Sequence, residues 1–283
     1  MYTTLISTEE LAKRLDNPDL VIVDCRFSLA ETEAGRQAYK EGHIPGSFYA
    51  HLDDDLSGVV EPGKTGRHPL PDLDALVDTF SQWGIGPGTQ VVAYDDLSGA
   101  IAARLWWMLQ WLGHDTVAVL DGGWQKWQRE ERPVSTNPPK PSPKNFNPQI
   151  REELLVDADF VDRIRKEPGF RLVDSRTAER YTGEEEPIDE VAGHIPGALS
   201  SPHTEVVTSE GDWLSPEELS ERFEKLLNDV EPGQAVFYCG SGVTACRNIL
   251  AVKHAGKGDV KLYAGSWSEW ITNKEREVAK EGE

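Results

Sequence analysis

Three short strings of residues occur twice in this chain, in the same order and about 150 residues apart. Leu20-Val21-Ile22-Val23-Asp24-Cys25-Arg26 returns as Phe170-Arg171-Leu172-Val173-Asp174-Ser175-Arg176. Gly42-His43-Ile44-Pro45-Gly46 returns as Gly193-His194-Ile195-Pro196-Gly197, and Gly122-Gly123-Trp124-Gln125-Lys126-Trp127 is echoed by Gly265-Ser266-Trp267-Ser268-Glu269-Trp270. A chain built this way folds as two copies of one unit, and its 283 residues suffice for two domains of ordinary size.

Each copy reads alike. A short helix, from Ser7-Thr8-Glu9-Glu10 or Asp157-Ala158-Asp159, precedes an apolar strand ending in Asp-x-Arg. A long polar loop leads to the Gly-His-Ile-Pro-Gly turn. A helix follows, over 73–83 or 216–227, then a buried strand over 90–94 or 235–238, a loop and another helix. A last strand, over 116–120 or 260–263, reaches the tryptophan-rich helix. Strands alternating with helices imply an α/β fold, with a parallel sheet covered by helices on both faces in each copy. Between the copies, residues 135–144 hold four prolines among ten residues, which excludes helix and central strand and makes a stiff, extended connector. The boundary is placed within 135–149, giving domains 1–137 and 150–283.

One stretch carries the chemistry. Ala235-Val236-Phe237-Tyr238 reads as a buried strand, and Cys239-Gly240-Ser241-Gly242-Val243-Thr244 as a glycine-punctuated loop opening a helix that runs to Lys253. Backbone N–H groups of such a loop can converge on one point, and the helix adds its positive end, so an anion or a thiolate there is stabilised. In parallel sheets ligands sit beyond the carboxyl ends of strands, where this loop lies. A buried cysteine packed at a strand end would not need the two glycines. The first copy has Tyr94-Asp95 where the second has Tyr238-Cys239, and the carboxylates of Asp95 and Asp96 would repel an anion. The first copy is therefore expected to be non-catalytic and to complete the pocket of the second.

The formal net charge of −20 disfavours nucleic acid as a partner and requires local cations for any anionic substrate. No run is long and apolar enough for a membrane span, the start does not read as a signal peptide, and three scattered cysteines make no disulfide framework. A reducing cytoplasm is the expected location.

Taken together, both Gly-His-Ile-Pro-Gly turns, both Gly-x-Trp echoes and the loop Cys239-Gly240-Ser241-Gly242-Val243-Thr244-Ala245 resemble the tandem-domain rhodanese family of thiosulfate and 3-mercaptopyruvate sulfurtransferases. The resemblance covers nearly the whole chain, and the loop resembles the mercaptopyruvate branch, since the thiosulfate branch carries basic residues there. It implies sulfur transfer from a small anionic donor to cyanide or a thiol, thioredoxin among the candidates, through a persulfide on Cys239, with no metal and no organic cofactor. It assigns Arg180 to the donor's anionic group, Gly240, Gly242, Val243 and Thr244 to substrate binding, and Ser241, His68 and Asp53 to a proton relay. One position departs from the pattern. Glu186-Pro187 is followed by Ile188, where the mercaptopyruvate branch has a second substrate arginine, so either donor is open.

Other residues have plainer readings. His43, His194 and both Asp-x-Arg pairs recur in both copies and read as structural. Thr244 also reads as a cap of the helix that follows. Cys25 reads as packing, as do the tryptophans at 106, 107, 111, 124 and 127. Cys246 reads as core, with resolution of a persulfide as the alternative. Two rival functions remain: a carrier handing a persulfide to a protein partner, and a phosphatase-like enzyme. The second needs an arginine six residues after the cysteine, and Arg247 comes two positions late.

Overall fold

In the computed structural model, which describes residues 1–280, the chain forms two compact units, each a parallel five-stranded sheet flanked by helices. The first unit holds β1 (Leu5–Ile6), α1 (Thr8–Ala12), β2 (Leu20–Asp24), α2 (Ala34–Glu41) and β3 (Phe48–Tyr49). It continues with α3 (Leu73–Gln82), β4 (Gln90–Tyr94), α4 (Ala102–Trp111), β5 (Val117–Leu120) and α5 (Gly123–Arg129). The strand order is β1-β5-β4-β2-β3. The second unit repeats it: β6 (Leu155–Val156), α6 (Ala158–Ile164), β7 (Arg171–Asp174), α7 (Ala178–Thr182), β8 (Ala198–Ser200), α8 (Pro216–Leu227), β9 (Ala235–Tyr238), α9 (Ala245–His254), β10 (Lys261–Tyr263) and α10 (Ser266–Trp270). Its order is β6-β10-β9-β7-β8.

The elements follow from local chemistry. β4 and β9 are buried along their whole length, as strands covered on both faces must be, and read as apolar runs, in β4 after the opening Gln90. Helices start where short polar side chains accept the first free amides: Ser7 from Glu10 N–H, Asp157 from Phe160 N–H, and Ser215 in a capping box with Glu218 ahead of Pro216. The helices α2 and α7 lie in the expected polar loops. Their sequences gave no apolar period because only Gly35 is buried in the first and nothing in the second.

The compact units are not contiguous, unlike the expected domains 1–137 and 150–283. Residues 59–69 cluster with the second unit and 207–213 with the first, which otherwise ends at Arg151. Hydrogen bonds far apart in sequence fix both segments: Arg67 N–H donates to Ser268 Oγ at 3.1 Å, and Trp213 N–H to Asp121 Oδ1 at 3.0 Å. The proline-rich connector has neither helix nor strand over 137–150 and packs within the first unit. There Lys144 N–H reaches Ser81 O, Gln149 N–H reaches Leu112 O, and Phe146 meets Phe80 edge-on.

One arginine in each unit ties the three repeated strings together. Arg26 grips the buried Asp24 carboxylate, donates to Gly42 O at 2.7 Å and lies 4.5 Å over the Trp124 ring. Arg176 does the same with Asp174, with Gly193 O at 2.6 Å and with Trp267 at 4.7 Å. The turn histidines are bound to backbone: His43 Nδ1 to Tyr39 O at 2.7 Å, and His194 Nδ1 to Tyr181 O at 2.8 Å. Each stacks on that tyrosine's ring. A buried, fully satisfied ion pair costs several kcal/mol to break at one partner, about 3–5, which explains why these strings travel together.

Candidate active site

The end of β9 delivers Cys239 into a loop whose backbone is pinned from α10. Trp267 N–H donates to Cys239 O at 3.0 Å, Ser268 N–H to Gly240 O at 2.9 Å, and Cys239 N–H to Ser266 Oγ at 3.1 Å. Ser266 holds a left-handed backbone, φ +56°, where the first unit has Gly123 at +55°. Its hydroxyl, accepting from Cys239 and donating to Tyr263 O at 2.9 Å, offsets that strain. Gly242 turns the loop at φ +74°, and a Cβ there would stand 2.2 Å from Ala264 O, so no other residue fits.

The first unit shows what such a loop holds. Asp95 occupies the place of Cys239, and its carboxylate accepts four amides: Leu97 and Gly99 at Oδ1, both at 2.8 Å, and Ile101 and Ala102 at Oδ2, at 2.7 and 2.8 Å. The expected effect of Asp95 was repulsion of an anion. Its carboxylate is instead the anion, already seated. In the second unit the loop is one residue shorter before its helix, and the amides of Gly240, Ser241, Val243, Thr244 and Ala245 meet no acceptor among the described residues. Cys239 is buried, 1% exposed, beside these amides. Thr244 sits at the N-cap of α9, but its side chain makes no capping bond, which corrects the expected capping role.

His68, from the segment 59–69, places Nδ1 2.7 Å from Ser241 Oγ, with both side chains buried. Asp53 is a residue of the first unit, where its amide donates to His51 Nδ1 at 3.3 Å and burial raises its carboxyl above the usual range.

Arg180, on α7, is held by two buried carboxylates. Its Nε donates to Glu186 at 3.0 Å and its Nη2 to Asp189 Oδ2 at 2.8 Å. Asp189 also pairs, through Oδ1, with Nη1 of Arg67. Both guanidinium groups stand over Gly240. A Cβ there would lie 2.8 Å from Arg67 Nη2 and 3.4 Å from Arg180 Nη1, so the missing side chain is the room the two cations use. Arg67 was missed in the sequence, although it adjoins His68 and the absent cation at Ile188 called for a substitute. Ile188 itself is exposed.

The surroundings bias the charges. Burial raises the Asp189 carboxyl, against the pull of Arg67 and Arg180. Burial also raises Glu186, but Arg180 and the amides of Asp189 and Ile188 outweigh it and hold its carboxyl below the usual range. His203 is pushed down to about 3 by burial, then by Arg247 and Arg180; its Nδ1 accepts from Arg247 Nη1 at 3.3 Å. Arg247 therefore serves His203, and no phosphate-holding arginine closes the cysteine loop at the required spacing. Burial drives the Cys25 thiol well above its ordinary value, as inert packing requires. Cys246 Sγ contacts Gly242 O at 3.4 Å. All three cysteines are free thiols.

Comparison with known proteins identifies the family of the fold. The family profile of the Rhodanese-like domain matches residues 7–130 and again 157–273. The chain is 46% identical over 276 residues, 97% of each chain, to a probable 3-mercaptopyruvate sulfurtransferase of Pseudomonas aeruginosa. It is 35% identical to the thiosulfate sulfurtransferase of Bos taurus, covering 96% of this chain and 93% of that one. Among solved structures, SseA from Escherichia coli, a 3-mercaptopyruvate sulfotransferase, superposes with a TM-score of 0.80 at 32% identity over 95% of this chain and all of that one.

Proposed function

This chain belongs to the rhodanese-like family, and on that premise we propose that its second unit moves sulfane sulfur from thiosulfate or 3-mercaptopyruvate to cyanide or a thiol through a persulfide on Cys239. The observation that carries the reading is the pair of matching loops. One cradles a carboxylate with four amides, and the other presents open amides beside a cysteine.

In the first half-reaction the Cys239 thiolate attacks the outer sulfur of the donor. With thiosulfate, the S–S bond breaks and sulfite leaves with the electron pair. With 3-mercaptopyruvate, the C–S bond breaks and leaves the enolate of pyruvate, which must take up a proton. Ser241 passes that proton in the proposed mechanism, a role its hydrogen bond to His68 supports. In the second half, the acceptor attacks the outer sulfur of the persulfide and Cys239 departs as thiolate. The open loop amides stabilise both anionic states of that sulfur as an oxyanion hole stabilises oxygen. Arg180 and Arg67 supply the free N–H groups that hold the donor's anionic end. Asp53 keeps its assignment as the third member of the relay on family resemblance. Three free thiols suit a reducing compartment such as the cytoplasm. No helix among the described residues is long and apolar enough to cross a membrane.

The deciding experiment treats wild type and Cys239→Ala with each donor in turn. Mass spectrometry should show one added sulfur atom on Cys239 of the wild type, and the folded variant should release neither sulfite nor pyruvate. Turnover by the variant would overturn the assignment. Replacing cyanide by a small thiol and by a reduced thioredoxin-like protein then ranks the acceptors.

A further inference from the structure

We propose that Asp189 sets the donor preference: by joining Arg67 to Arg180 over the cysteine loop, it cancels their surplus charge and fits the donor subsite to a monoanionic carboxylate thiol rather than to a dianion. The inference rests on the sulfur-transfer reading and deepens it.

The charges above the loop form one alternating run. Arg67 pairs with Asp189, Asp189 with Arg180, Arg180 with Glu186, Glu186 with Arg176, and Arg176 with Asp174. Three cations meet three anions, so the formal sum is zero, inside a chain whose own balance is −20. The side chains of Asp189 and Glu186 are both only 4% exposed, which leaves little water to screen them. Glu186 also fixes the turn that presents Asp189, accepting from Ile188 N–H at 3.1 Å and from Asp189 N–H at 3.0 Å.

This network uses up specific atoms. Asp189 takes Nη1 of Arg67 and Nη2 of Arg180, and Glu186 takes Nε of Arg180. Arg67 Nε and Nη2 and Arg180 Nη1 remain, and of these Arg67 Nη2 and Arg180 Nη1 border the space over Gly240. One carboxylate group can take both. Because the run sums to zero, a donor gains hydrogen bonds here but no net counter-charge, and a dianion carries that cost twice. At the permittivity of a half-buried site, one uncompensated unit charge on the order of 6 Å away alters a binding constant by roughly tenfold or more.

The test compares kcat/KM for thiosulfate and 3-mercaptopyruvate in the full chain as wild type, Asp189→Asn and Asp189→Glu. The thiosulfate-to-mercaptopyruvate ratio should rise roughly tenfold in Asp189→Asn and stay at the wild-type value in Asp189→Glu. Arg67→Gln, which removes a cation from the same run, should move the ratio the other way and keeps the test decisive if Asp189→Asn folds poorly. Calorimetric titration of Cys239→Ala, with and without Asp189→Asn, uses sulfate and pyruvate as unreactive dianion and monoanion. A relative gain for sulfate supports the proposal even if the wild type turns over neither donor, in which case the sulfur-transfer reading fails alone. Loss of activity with both donors at an unchanged ratio, or equal affinities throughout, would overturn the role of Asp189.

Discussion

Ser241 Oγ and His68 Nδ1 lie 2.7 Å apart, both buried, although 173 positions separate them in sequence. On the proposed mechanism the pair should matter for one donor more than for the other. Sulfite leaves as a stable anion, whereas the pyruvate enolate needs a proton. Ser241→Ala and His68→Gln should each lower kcat with 3-mercaptopyruvate by roughly 10²–10⁴, with a much smaller effect on thiosulfate. Steady-state assays with both donors check this. Asp53→Asn should act in the same direction, more weakly; equal loss with both donors would remove Asp53 from the relay.

Asp95 should be worth more to the first unit than an ordinary surface carboxylate. Asp95→Ala would strand four amides at once, three of them in buried hydrogen bonds, and a loss on the order of 3 kcal/mol is expected in urea unfolding. Asp95→Asn, which keeps one carbonyl oxygen as acceptor, should lose less.

The two loop glycines should fail differently. Gly242→Ala meets backbone at 2.2 Å and adopts a positive φ, so unfolding should be easier by at least 1–3 kcal/mol, roughly, with loss of activity. Gly240→Ala meets only the ends of arginine side chains. That variant should fold normally and show a raised KM for either donor.

Donor preference should vary with pH. Asp189 has its carboxyl raised by burial, so it takes up a proton at a higher pH than an unfolded aspartate would, while Glu186, held low, stays ionised. As pH falls into the range where Asp189 takes up its proton, above that of an ordinary aspartate, the run of charges gains a positive one, and the thiosulfate-to-mercaptopyruvate ratio should climb. In Asp189→Asn the climb should vanish. The stability signs are opposite: ionised Asp189 opposes folding, an effect relieved on acidification, whereas Glu186 contributes stability above its unfolded pKa and loses it as pH falls through its lower folded value.

The repeat, the buried strands and the cysteine loop were legible because each leaves a local mark: alternating elements, apolar runs, paired glycines. β4, β9 and α8 have the limits their sequences imply. Arg67, Asp189 and the reassigned segments 59–69 and 207–213 were not legible, since their meaning lies in partners distant along the chain. Asp189 in particular looks like one more acidic loop residue. Only the geometry shows that it bridges two guanidinium groups. Thr244 misled for a related reason: a threonine before a helix is a common cap, but here no amide comes within its reach.

Doubling a unit also doubles its strand-end loop. The two loops differ in two independent ways, because the first carries a resident counter-ion in Asp95 and an added residue ahead of α4. Turning the first loop into a copy of the second therefore takes a substitution and a deletion together, and a cysteine at position 95 alone should not create a second sulfur-transfer site.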